Sequence, residues 1–365
     1  MGIVCGMLHH RCGVVRISIN KLDIMRDIKD FQLLEYNTFG IEGKCKRFCE
    51  FDSIDELRSI LDTITDADHP LMVLGGGSNL LLTKDFPGTV LHSNIVTDPH
   101  ILIVDDDSND VFVTVGSGMI WDKFVDFCIQ NNIYGCENLS LIPGTVGASV
   151  VQNIGAYGVE VKDIVDKVET IEIATGRKRV FNNSECQYGY RHSRFKGEWK
   201  GQYVVTGVTF RLSSVFTPRL DYGNIREELR REGIETPNGR QLRDAIIRIR
   251  EAKLPDPTVE GNAGSFFMNP VVDKAKYESL AVQYPDMPHY TVDDSHEKIP
   301  AGWLIDRCGW KGKTVGRAGV HDKQALVLVN RGGATGEEIV NLCNLIRKDV
   351  HDKFGIEINP EVNII

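Results

Sequence analysis

Apolar and polar positions along this chain fall into alternating short patterns rather than one long period. Phe31 to Phe39 leads into a short strand region that turns at Asn37, Thr38, Phe39 and Gly40. Ser53, with Glu56 three residues on, has the spacing of a capping box, and Leu57, Ile60, Leu61 and Ile64 then share one helical face. The pair His69-Pro70 is expected to stop that helix. Leu71 to Leu74 reads as a short buried strand running into Gly75-Gly76-Gly77-Ser78-Asn79. This opening is compact and βαβ-like. From about Val90 the chain changes to short β segments: Ile101–Val104, Val111–Val115, Val168–Ile173, Arg179–Phe181 and Tyr203–Leu212. Gly-, Asp- and Asn-rich turns separate them, and one helix is predicted over Trp121–Gln130. The pattern is α+β with a mixed or antiparallel sheet.

Further on, Leu242, Ala245, Ile246 and Ile249 place a stripe on a helix from about Gln241 to Ala252. Lys253-Leu254-Pro255-Asp256-Pro257 cannot extend it, because proline removes a donor and restricts its predecessor. The last segment predicts a strand at Ala325–Val329 and a helix opening at Thr335 with Glu338 as capping partner. Ile339, Leu342, Ile346 and Val350 form its apolar face, and Ile356–Ile358 with Asn359-Pro360-Glu361-Val362 closes the chain. These breaks divide the chain into an extension (1–32), expected to be poorly ordered, and segments 33–92, 93–253, 254–353 and 354–365. No internal repeat or low-complexity tract is seen.

Charge narrows the function. Lys and Arg total 42 against 51 Asp and Glu, a net charge of −9, which argues against non-specific nucleic-acid binding. It leaves room for a nucleotide, which needs only local amides and a few cations. No apolar run reaches the roughly 18 residues of a spanning helix, so no membrane insertion is expected. The nine cysteines are scattered, an odd count that fits reduced cytosolic thiols and a cytoplasmic location. Cys45 and Cys49 lack a matching second pair and no H-E-x-x-H occurs, so no metal site is expected. Met1 to Ile19 lacks the apolar core of a secretory signal.

Three glycine-rich segments carry the candidate chemistry, and none is a G-x-G-x-x-G or a Walker loop. In Gly75-Gly76-Gly77-Ser78-Asn79, side-chain-free positions let several amides converge on an anion; a tight turn is the plainer alternative. Ile142-Pro143-Gly144-Thr145-Val146-Gly147-Ala148-Ser149, followed by Gln152-Asn153-Ile154-Gly155-Ala156-Tyr157-Gly158, lets backbone pass close to a flat ligand. In Gly261-Asn262-Ala263-Gly264-Ser265-Phe266-Phe267, Phe267 occupies the last glycine position of a nucleophile elbow, which argues against a triad hydrolase. Ser265 is then a proton donor if a charged neighbour tunes it, or a plain turn serine.

Read in order, these segments together with Gly189-Tyr190-Arg191 and Pro360-Glu361-Val362 resemble the MurB family of UDP-N-acetylenolpyruvoylglucosamine reductases, from about Leu33 to Ile365. Leu220-Asp221-Tyr222-Gly223 is similar to the tyrosine loop of its type I form. The resemblance implies a two-part FAD-binding unit of the vanillyl-alcohol-oxidase type (33–92 and 93–253). A MurB-type α+β domain for the UDP-sugar (254–353) follows, with a C-terminal strand segment (354–365) returning to the site. It implies peptidoglycan synthesis in the cytoplasm by a monomer, with non-covalent FAD and with NADPH as reductant.

Residue by residue, the resemblance assigns Gly75, Gly76, Gly77, Ser78, Asn79, Pro143, Gly144, Thr145, Gly147, Ala148, Asn153, Gly155, Ala156 and Tyr157 to FAD. Tyr190, Tyr222, Lys253, Asn269 and Gln324 match substrate positions, and Arg191, Ser265 and Glu361 match catalytic ones. Arg191 and Glu361 would stabilise an enolate and Ser265 would deliver a proton. Glu361 in that role calls for a raised pKa or strong hydrogen bonding. Val151 stands where the family commonly has proline, and Met268 where it commonly has lysine. A related flavin oxidase and a UDP-sugar binding protein without flavin are the competing readings.

Overall fold

The computed structural model describes residues 26–103 and 108–365. The expected disorder of the extension, with Cys5 and Cys12, and the Val104 end of one predicted strand lie outside the described residues.

The first layer holds β1 (Arg26–Gln32), β2 (Lys44–Phe51), α1 (Ile54–Leu61), β3 (Leu71–Leu74), β4 (Leu80–Leu81) and β5 (Phe86–Ser93). The sheet runs β1-β2-β5-β3, with β1 antiparallel to β2 and both β2 and β3 parallel to β5. Arg26 to Gln32 therefore belongs to the sheet, in register from Arg26 opposite Glu50 to Gln32 opposite Lys44, and an extension drawn to residue 32 is too long. α1 starts as its cap predicts, with Ser53 Oγ accepting the Glu56 amide at 3.2 Å and Glu56 accepting the Asp52 amide at 2.7 Å. It ends at Leu61, well before His69-Pro70. Thr63 turns back and donates its hydroxyl to the Ile60 carbonyl at 2.7 Å, satisfying an acceptor of the last turn. Leu57 and Ile60 are fully buried beneath the helix.

The second layer is an antiparallel sheet built from β6 (His100–Ile103), β7 (Asp110–Gly116), β10 (Val165–Glu172), β11 (Lys178–Asn182) and β12 (Tyr203–Ser213), ordered β11-β10-β12-β7-β6. Against it pack α2 (Trp121–Gln130) and α3 (Val146–Gln152), while the small pair β8 (Gly155–Ala156) and β9 (Val159–Glu160) follows α3. α4 (Ile225–Arg231) and α5 (Gly239–Lys253) close over a separate apolar cluster containing Ile225, Leu242 and Ile246. Asn238 and Gln241 cap α5 reciprocally at 2.9 Å, and the helix stops at Lys253, ahead of the two prolines.

The last layer holds β13 (Gly261–Asn262), β14 (Val271–Asp273), α6 (Lys274–Gln283), β15 (Tyr290–Thr291), β16 (His296–Lys298), α7 (Ala301–Arg307), β17 (Thr314–Val315), β18 (Ala318–Val320), β19 (Leu328–Asn330), α8 (Gly336–Phe354) and β20 (Asn363–Ile364). The strand expected at Ala325–Val329 forms only from Leu328, because Val327 folds back in a turn onto the Gln324 carbonyl. β20 pairs in parallel with β4, threading the chain's end into the first layer. Phe39, Phe48 and Leu81 share one continuous core with Phe266, Phe267, Ile339, Ile346 and Val362, so the first and last layers are joined by apolar packing. None of the helices among the described residues is long and apolar enough to cross a membrane.

Candidate active site

Two of the glycine loops lie against each other. A Cβ on Gly75 would stand 2.8 Å from Thr145 Oγ1, and one on Gly76 would stand 3.0 Å from the Gly144 Cα, so neither loop has room for side chains here. Gly77 has φ +61°, and a Cβ there would lie 1.9 Å from the Tyr36 carbonyl oxygen. Ser78 Oγ donates to the Pro143 carbonyl at 3.2 Å. Among the described residues the backbone amides of Gly75 to Asn79 donate to no protein acceptor. A row of free amides beside small residues is a cradle for a phosphate-like anion. Gly147 is pressed on Ser117, and Thr145 caps α3 through the Ala148 amide.

The loop from Asn153 to Gly158 then leads to the charged pair. Asn153, with φ +46°, donates its amide to the Gly189 carbonyl at 2.7 Å and accepts from the Lys162 amide at 3.1 Å. Gly155 gives its carbonyl to Arg191 Nη2 at 2.8 Å; a Cβ there would come within 2.9 Å of Nη1, so the guanidinium requires this glycine. Arg191 Nε lies 3.0 Å from Glu361 Oε1, with both side chains mostly buried. Burial pushes the Glu361 carboxyl above its ordinary range, opposed by the positive charges of Arg191 and Lys196. Asn79 ties the cradle to the same place: its side-chain amide donates to the Glu361 backbone carbonyl at 3.4 Å and its backbone carbonyl accepts from the Asn363 amide at 3.1 Å.

Ser265 is exposed, presented between Gly264, with φ +68°, and the buried Phe266 and Phe267. The Glu361 amide donates to the Phe266 carbonyl at 2.8 Å and the Met268 amide to the Asn359 carbonyl at 2.9 Å, so Ser265 runs alongside the segment that carries Glu361. Tyr190 stacks near the Arg191 guanidinium, 5.3 Å from its ring centre, and Lys298 stands 4.8 Å over the same ring. Tyr222 stacks on Tyr290 with ring centres 5.9 Å apart, and burial pushes its phenol up to about 12. Its Cβ lies against the Gly158 turn, which places the tyrosine loop over the Asn153–Gly158 loop.

The remaining predicted positions are placed differently. Asn269 Oδ1 accepts the Ala301 amide at 2.9 Å and Gln324 Oε1 the Leu326 amide at 3.3 Å, beside Gly302. Both side chains thus converge on the start of α7. Lys253 is exposed at the end of α5, and no described hydrogen bond or ion pair ties it to the other site residues. Tyr157, with φ +48°, packs its ring on the α4–α5 cluster. Ala156 packs on the core of the second layer.

Residues 256–365 match the family described as the UDP-N-acetylenolpyruvoylglucosamine reductase C-terminal domain, and residues 46–181 match the FAD binding domain family. A UDP-N-acetylenolpyruvoylglucosamine reductase of Bacteroides fragilis is 53% identical over 335 residues, 92% of this chain and 99% of that protein. The chain belongs to the UDP-N-acetylenolpyruvoylglucosamine reductase family. A reductase of the same name from Burkholderia cenocepacia is 45% identical over 92% of this chain and 95% of its own. The crystal structure of UDP-N-acetylenolpyruvylglucosamine reductase (MurB) from Thermus caldophilus covers 93% of this chain with a TM-score of 0.64 at 24% identity, a likeness of fold.

The cradle fits FAD: free backbone amides at Gly75 to Asn79, and glycines whose Cβ positions are occupied, suit a dinucleotide pyrophosphate. Sequence reasoning passed over Lys196, Tyr290, Lys298 and Arg250. Lys298 and Tyr290 meet Tyr190 and Tyr222 only through the pairing of β15 with β16, which no spacing reveals. Arg250, on the fourth turn of α5, carries a buried Nε without a hydrogen-bond partner and reaches Tyr157. Lys196 lies five residues beyond Arg191, and that proximity was the one available signal.

Proposed function

We propose that this chain reduces the enolpyruvyl ether of UDP-N-acetylenolpyruvoylglucosamine to the lactyl ether, with NADPH as reductant and FAD as cofactor, in peptidoglycan synthesis. The observation that carries the reading is the Arg191–Glu361 pair at 3.0 Å, held beside the segment that presents Ser265. Gly75 to Asn79, with Pro143, Gly144, Thr145, Gly147, Ala148, Asn153, Gly155, Ala156 and Tyr157, would hold FAD, which when bound would supply the hydride relay from NADPH to the terminal vinyl carbon.

The chain's own residues do the rest. Arg191 faces the substrate carboxylate and stabilises the charge that spreads into it as the double bond is reduced. Glu361, with its pKa raised by burial, supports that charge in its protonated form. Ser265 gives its hydroxyl proton to the ether-bearing carbon, and being exposed it recovers a proton from water. Tyr190, Tyr222, Lys253, Asn269 and Gln324 bind the UDP-sugar, with Lys253 as a point charge toward the diphosphate. The enzyme works as a monomer in the cytoplasm, the location being supported by seven free cysteines among the described residues.

The test is an anaerobic visible spectrum after NADPH and again after the enol ether. Flavin bands that bleach with NADPH and return with the enol ether support the reading. Recovery only on admitting air would favour a flavin oxidase, and protein purified without flavin would overturn the assignment.

A further inference from the structure

Arg191 has φ +54°, a left-handed backbone that a side-chain-bearing residue adopts only where its surroundings enforce it. The turn around it is closed by the Gly189 amide to the His192 carbonyl at 2.9 Å and by the reverse bond at 3.1 Å. The Arg191 carbonyl has one described donor, the Lys196 ammonium at 3.4 Å. Lys196 is half-buried, and among the described residues it forms no ion pair. An unpaired lysine ordinarily turns its head into water. The chain on either side of Lys196 is anchored: Phe195 and Trp199 are buried in one aromatic cluster, and Ser193 Oγ donates to the Val151 carbonyl at 2.7 Å.

We propose that Lys196 is a positioning residue for the Arg191–Glu361 pair, fixing the Arg191 backbone through its bond to the Arg191 carbonyl and so holding the guanidinium against Glu361. The inference rests on the catalytic reading of that pair. The groups facing Glu361 are Arg191, Lys196 and the Tyr190 phenol; across Arg191 stands Glu160 of β9, already paired with Lys162 at 2.7 Å. Removing Lys196 frees the Arg191 carbonyl and loosens the turn, weakening the 3.0 Å contact by which Arg191 favours the ionised form of Glu361.

The test compares Lys196→Met and Lys196→Arg in FAD-loaded enzyme. Titration of the Glu361 carboxyl is followed by ¹³C NMR, its signal assigned by loss in Glu361→Gln, alongside kcat against pH. Lys196→Met is expected to lower kcat roughly tenfold and move the Glu361 midpoint to higher pH, with NADPH bleaching of flavin within about threefold of wild type. Lys196→Arg is expected to restore both. An unmoved midpoint in Lys196→Met overturns the proposal, whether kcat is kept or is lost equally in both variants, the latter being a packing effect. A wild-type enzyme that never turns over the enol ether sinks the catalytic reading instead, while the titration still decides what Lys196 does to Glu361.

Discussion

The amide of Glu361 donates to the carbonyl of Phe266 at 2.8 Å, so the carboxylate near the chain's end is built onto the same strand contact that presents Ser265. Phe266 and Phe267 are fully buried and anchor that contact, each contributing about 1.5–3 kcal/mol by burial. Ser265 itself is exposed, and no hydrogen bond of its side chain is described. Ser265→Ala should therefore keep its melting temperature and its reduction by NADPH, and lose turnover of the enol ether by roughly a hundredfold or more. Stopped-flow spectra of the two half-reactions check this, and unchanged turnover would remove Ser265 from the mechanism.

Glu361 makes a second, pH-dependent prediction. Its folded pKa is raised above the ordinary 4.5, first by burial, against the pull of Arg191 and Lys196. The stability tied to its protonated form is full below that ordinary value and is lost as pH rises through the folded pKa. Glu361→Gln cannot ionise, so its melting temperature should gain on wild type as pH is raised from about 4.5 toward neutrality. At lower pH the two proteins should melt together. Turnover should fall at every pH, and a melting gap that does not change with pH would mean that Glu361 titrates normally.

Glycine substitutions separate the cradle from ordinary turns. Gly77 and Gly40 have nearly the same backbone, φ +61° and +60°, but a Cβ on Gly77 would collide with the Tyr36 carbonyl while one on Gly40 meets nothing within 4 Å. Gly40→Ala should cost about 1 kcal/mol of left-handed strain and keep its flavin. Gly77→Ala has to displace backbone, and it should purify with little FAD. The ratio of flavin to protein absorbance in the two variants decides between them.

Much of this was legible because it is local. The stop of α5 at Lys253 follows from Pro255 and Pro257, and the caps at Ser53 and Thr335 sit where the Glu three residues later predicts. β1, β2 and β5 were not read. β2 buries Cys45, Phe48, Cys49 and Phe51, a pattern broken by a step in the alternation, and its parallel partner β5 is distant in sequence. The Arg191–Glu361 contact was reached through the family resemblance, since nothing in either residue's neighbourhood points to the other. Tyr290 and Lys298 belong to a strand pair of two and three residues, too short for a period to show.

The loop ahead of Gly144 depends on a charge pair that can be tested by stability. Arg243 on α5 is almost fully buried and forks onto Asp122 of α2 at 2.7 and 2.9 Å, with Asp126 at 3.5 Å. Asp122 also accepts the amide of Leu141, a residue with φ +58° that leads into Ile142-Pro143-Gly144. Burial would raise the Asp122 pKa, but the Arg243 fork and the Leu141 amide outweigh it and hold the carboxyl below its ordinary range. Its contribution is present above the ordinary value of about 3.9 and is lost as pH falls through the lowered one. Arg243→Met leaves a buried carboxylate without its partner, so urea unfolding at neutral pH should show a loss of about 3–5 kcal/mol. The loss should shrink in acid, where Asp122 is protonated in both proteins, and flavin should dissociate faster as Leu141 loosens. Arg243→Met combined with Asp122→Asn should recover part of the stability and little of the flavin affinity, because the neutral amide no longer anchors the Leu141 turn as strongly. Equal unfolding energies for wild type and Arg243→Met at neutral pH would show that the pair does not support the loop.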